Sequence, residues 1–136
     1  MVSTIDDTDV NPGDGVCLAQ ERCTLRAAIQ EANDFPGADT IVLQVSGPYL
    51  LTLQEASAGA ADEELAATGD LDVTGPLTIE SPGGAAPRQI EVAFGSRSPE
   101  DRIFHVHLGG DLTLRDVILA DGVATSASTS TGGAIR

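Results

Sequence analysis

The sequence predicts an all-β chain wound as a solenoid of short strands, with one short helix near its N-terminus. Short apolar runs punctuated by Gly and Pro fill most of the chain, and comparable runs return roughly every 20 residues. Between Cys23 and Leu43 the hydrophobic period also changes from helical to extended. Recurrence of this kind implies supersecondary units that stack because none can bury its apolar face alone.

Composition narrows the possibilities further. With 136 residues the chain suits one domain, and folding buries about two thirds of the surface that such a chain exposes. Phe35, Tyr49, Phe94 and Phe104 are the only aromatic residues and Trp is absent, so the core must be aliphatic. The net charge of −14, with seven arginines and no lysine, excludes the clustered cations that nucleic-acid binding requires. No apolar stretch is long enough to span a bilayer and no signal peptide is recognisable; Met1 is read as standing where a removed export signal ended.

The elements follow in chain order. Val2, Thr4 and Ile5 begin a strand, and an acidic turn region containing Pro12, Gly13 and Gly15 follows it. Asp7, Asp9 and Asn11 alternate as in a calcium loop, but Pro12 stands where an EF-hand needs glycine and Leu18 where it needs glutamate. A looser oxygen-ligand calcium site using Asp7, Asp9, Asn11 and Asp14 is kept beside the plainer reading of a solvated acidic loop. Cys17 and Cys23 flank a polar turn, with no nearby histidine to complete a zinc site. They form either a local disulfide, which is the preferred reading, or two thiols in a reducing compartment.

From Thr24 the pattern is helical. Thr24 suits the N-cap, Leu25, Ala28, Ile29 and Ala32 form a narrow apolar stripe, and Asn33, Asp34 and Pro36-Gly37 end the helix. Strand-type runs follow at Ile41 to Val45, Tyr49 to Leu53, Leu71 to Val73, Leu77 to Ile79, Ile90 to Val92, Ile103 to Val106, Leu112 to Leu114 and Val117 to Leu119. In "DLTLRDVILADG", Leu112 and Leu114 face one way and Thr113 and Arg115 the other, with a bend near Asp116. A β-sandwich would also show short strands; the repetition of "GDLDVTGPLTIESPG" in "GDLTLRDVILADG" favours coils. Residues 55–70 and 124–131 read as loops projecting from the stack.

The segment "DDTDVNPGDGVCLAQERCTLRAAIQEANDFPGADTIVL" resembles the CSLREA-type N-terminal segment of bacterial cell-surface proteins, which fold as right-handed parallel β-helices. The later "RIFHV", "LTLRDVIL" and "GGAI" look like their coils, and Ala27 departs from the glutamate usual in the pattern. The resemblance implies a cap over residues 1–40, with Thr24, Leu25, Arg26 and Ile29 on a helix closing the solenoid, and coils over residues 41–136 that are incomplete at the C-terminus. It implies an extracellular or cell-surface location and a structural role, as a stalk, adhesin or carbohydrate-contacting scaffold with a glycan or protein partner. Self-association through the C-terminal coil is expected, because "TGGAIR" stops as another rung begins.

The rival reading is a polysaccharide lyase or glycoside hydrolase acting on acidic glycans, which rests on fold analogy. Asp70, Asp72, Asp111 and Asp116 are its available acids, although acids at strand ends are more often solvated turn residues. His105 and His107 share a face within "IFHVHL", and the sequence supplies no evident third metal ligand. No catalytic residue and no cofactor other than calcium is therefore assigned.

Overall fold

A computed structural model describes residues 1–53, 65–93, 102–122 and 135. The strands are β1 (Val2–Ser3), β2 (Cys23–Thr24), β3 (Asp39–Val42), β4 (Tyr49–Leu51), β5 (Leu71–Val73), β6 (Pro76–Glu80), β7 (Arg88–Val92), β8 (Phe104–Val106), β9 (Asp111–Arg115) and β10 (Val117–Ala120). The helix α1 (Leu25–Asp34) lies between β2 and β3. All paired strands run parallel, in the orders β1-β2, β3-β6-β9, β4-β7-β10 and β5-β8.

These findings correct the expected all-β, right-handed parallel β-helix with a capping helix. The described residues form one helix and short parallel strands in four separate sheets, none with more than three strands. There is no extended stack of coils among them for a helix to close, and α1 packs beside β1, β2 and β5. Leu71, Ile90 and Leu112, whose spacing set the period, lie on β5, β7 and β9, which belong to three different sheets. The true partners are Leu77 with Leu112 and Leu71 with Phe104, an offset of roughly 35 residues instead of 20. Hydrophobic recurrence marks where strands occur, but it does not say which of them pair.

Within each sheet the register sets like beside like. Ile79 is flanked by Ile41 and Leu114, and Thr78 by Thr40 and Thr113. Strand alternation turns Leu77 and Ile79 inward, where both are buried, and leaves Thr78 and Glu80 partly exposed. The resulting core joins Leu25 and Ile29 of α1 to Leu43, Tyr49, Leu51, Leu71, Val73, Ile90, Ile103 and Phe104. Each fully buried aliphatic side chain contributes about 1.5–3 kcal/mol. Val92, Val106, Leu112, Leu114, Val117 and Leu119, all on strand-type runs of the sequence, pack against it only partly buried. For β9 and β10 the reason is that each has a strand neighbour on one side only among the described residues.

The turns are tied together by specific groups. Asp116 joins β9 to β10 at a φ of 53°, a left-handed conformation that Asp tolerates better than most residues. The Ser81 hydroxyl donates to the Asp116 carbonyl at 2.6 Å and accepts from the Arg88 N–H at 2.9 Å, linking this corner to the β6–β7 corner. Residues 65–70, expected to be part of a projecting loop, fold back onto α1 and β5 instead. Residues 55–64, the low-complexity stretch 124–131 and the Gly132-Gly133-Ala134 start of a further rung lie outside the described residues. Ile135 forms a parallel bridge with Phe104.

Candidate functional site

Helix α1 organises the polar part of the molecule. Thr24 is its N-cap, with its hydroxyl accepting the Ala27 N–H at 3.1 Å. Leu25 and Ile29 are buried as the stripe predicted, yet Arg26, Gln30 and Glu31 are buried as well. The fully buried Arg26 guanidinium uses its five N–H groups in five contacts. Nε and Nη2 grip the two oxygens of Asp6 at 2.7 and 3.2 Å, while Nη1 and Nη2 reach the carbonyls of Ala66, Asp70 and Gly69 at 3.0, 3.3 and 2.8 Å. Asp6 Oδ2 also accepts the Thr52 and Leu53 N–H groups at 2.7 and 2.9 Å. Planar, fully charged guanidinium is the side chain suited to so many divergent acceptors.

The acidic N-terminal loop is braced from the same helix. Glu31 accepts the N–H groups of Gly13 and Gly15 at 2.8 and 2.7 Å. Gln30 accepts the Asp9 N–H and donates to the Leu65 carbonyl. The calcium candidates lie in this loop, and all four make contacts within the chain. Asp9 accepts the N–H groups of Asn11 and Leu18, Asp14 accepts the Val16 N–H and the Asn11 amide, and Asp7 accepts the Thr8 N–H and the Gln20 amide. Cys17 and Cys23 are joined as a disulfide that fixes the loop to the start of α1. Beside this bridge, a hollow of about 300 Å³ is lined by Cys17, Ala28, Ala32, Phe35 and Ile41.

The most concentrated chemistry lies on the outer face of the β5-β8 pair. Asp72 is the register partner of His105, and His107 follows two positions later, so all three side chains leave the sheet on one face. His107 Nε2 is 2.6 Å and His105 Nδ1 3.4 Å from the same Asp72 Oδ1 oxygen. The two rings lie 4.1 Å apart, centroid to centroid. The Asp72 side chain is fully buried, whereas each histidine keeps 17% of its side-chain surface exposed. The Ala66 N–H donates to Asp72 Oδ2 at 2.9 Å, which sets the plane of the carboxylate. Ala66 holds a left-handed φ of 52°, and its carbonyl serves Arg26.

The four acids considered for glycan chemistry are divided by the fold. Asp70 pairs with Arg102 at 3.0 Å and Asp72 with the histidines, while Asp111 and Asp116 lie exposed on β9 and the following bend. Sequence reasoning paired the histidines but missed Asp72, since the separation of 33 positions between Asp72 and His105 becomes a contact only through β5-β8 pairing. The alternation of Asp70 and Asp72 with Leu71 and Val73 in "GDLDV" was the available signal that these acids leave the core face. No protein-family model, no curated protein and no solved structure matches the chain.

Proposed function

We propose that this chain is a non-catalytic scaffold module of an exported protein, working outside the cell or at the cell surface. The observation that carries the reading is the Cys17–Cys23 disulfide. Such bonds persist in oxidising compartments and are rare where glutathione keeps thiols reduced. The CSLREA-like residues around Cys23 to Ala28 lean the same way. No helix among the described residues is long and apolar enough to cross a membrane. Asp70 and Asp72, the more enclosed of the acids available for glycan cleavage, are committed to Arg102, Ala66 and the two histidines. That favours support over turnover.

Two measurements test the proposal. Protease added to intact source cells should cleave the protein, or the protein should appear in the medium; a chain that is protected inside the cell with two alkylatable thiols refutes export. Incubation with uronic-acid polymers should release nothing, and unsaturated oligosaccharides in the digest would establish the lyase reading instead.

A further inference from the structure

We infer that Asp72, His105 and His107 form a binding site for a divalent transition-metal cation of the zinc class. The ligand atoms lie within 4.8 Å of one another. Ligands about 2.0–2.1 Å from a tetrahedral zinc ion are about 3.3 Å apart, so the 3.4 Å between His105 Nδ1 and Asp72 Oδ1 already has the required span. The 2.6 Å contact of His107 Nε2 with the same oxygen holds one proton in place of a metal. A modest outward turn of the His107 ring brings this pair to the same separation, and the displaced proton passes to solvent. Each ring keeps 17% of its side-chain surface exposed while His105 Nδ1 and the Asp72 carboxylate are enclosed, so a cation would reach the donor atoms as the rings turn outward.

The surroundings suit this chemistry. Two imidazoles and one carboxylate select zinc, cobalt, nickel or copper over calcium and magnesium, which prefer all-oxygen sites. The Ala66 N–H on Asp72 Oδ2 supplies the outer hydrogen bond that orients a metal-binding carboxylate. A net charge of −14 adds long-range attraction for any cation, but only the donor set discriminates among cations. This inference stands apart from the scaffold role and holds whether or not the protein is exported.

The test is equilibrium dialysis of the whole chain against Zn²⁺ in excess Mg²⁺, with imidazole NMR as a second readout. His105 and His107 are the only histidines, so their ring signals report this site alone. One equivalent of Zn²⁺ should bind and move both ring signals together, and His105→Gln and His107→Gln should each weaken binding by about tenfold or more. Both rings are partly exposed, and circular dichroism verifies that the variants fold. If no saturable binding occurs, or if the double variant still holds one equivalent, the assignment is wrong.

Discussion

Replacing Arg26 by Met keeps the length and apolar stem of the side chain and removes five hydrogen-bond donors from a fully buried position. Breaking a buried ion pair from one side costs about 3–5 kcal/mol, because the remaining charge has lost its partner. Asp6 retains the Thr52 and Leu53 N–H groups, which places the loss at the lower end of that range. The carbonyls of Ala66, Gly69 and Asp70 lose donors at the same time, and each buried acceptor left without a partner costs about 1–3 kcal/mol, with strong overlap among the terms. A total of about 4 kcal/mol is therefore expected for Arg26→Met. Unfolding entropy scales as about 2.1 cal/mol/K per residue, or about 0.29 kcal/mol/K for this chain, so Tm should fall by roughly 14 °C. Far-ultraviolet circular dichroism during urea and thermal unfolding measures both quantities, with Arg22→Met at an exposed position as control. A loss under about 1 kcal/mol would mean that the guanidinium network does not hold α1 to residues 66–70. Arg26→Lys should recover only part of the loss, since one ammonium cannot meet five divergent acceptors.

Ile79→Ala should destabilise by about 2–5 kcal/mol, whereas Thr113→Ala on the exposed face of β9 should be close to neutral; equal effects in urea unfolding would refute the strand alternation. Gly110→Ala should destabilise strongly or abolish folding, because the added Cβ would meet the Val73 carbonyl oxygen, with the His107 carbonyl at 3.2 Å; a Tm within error of wild type would show that β8 and β9 do not pass so close to β5. Burial raises the pKa of Tyr49 above its ordinary 10.0, against the lowering effects of its hydrogen bond with Val45 and of the Arg88 charge. The neutral phenol is thus favoured in the folded state, and its stabilising contribution is complete below about pH 10 and lost as pH rises through the raised value. Tyr49 is the only tyrosine and Trp is absent, so near-ultraviolet phenolate absorbance follows it alone; a midpoint at or below 10.0 in the folded protein would contradict its burial.

Local features were legible in the sequence because they depend on neighbours in the chain. Thr24 caps a helix that ends at Asp34, and every strand-type run from Ile41 to Leu119 overlaps an observed strand. The bend at Asp116 and the Cys17–Cys23 bond also follow from short-range geometry. Periodicity reports which side of an element meets apolar surroundings, and it does so whatever lies opposite.

Tertiary structure decided everything that depends on which elements meet. The partners of Arg26 come from far along the chain, Asp6 from 20 positions before it and the carbonyls of Ala66, Gly69 and Asp70 from 40 or more positions after it, and no local pattern names them. Gln30 and Glu31 lie off the apolar stripe, yet they are buried because the glycine-containing acidic loop folds over them and offers its N–H groups. Asp72 joins His105 and His107 only because β5 pairs with β8, a contact between segments about thirty residues apart whose individual patterns carry no label for their partner. The solenoid expectation failed at the same point: recurrence of apolar runs located the strands, while register and sheet membership came from long-range hydrogen bonding that one-dimensional spacing does not encode.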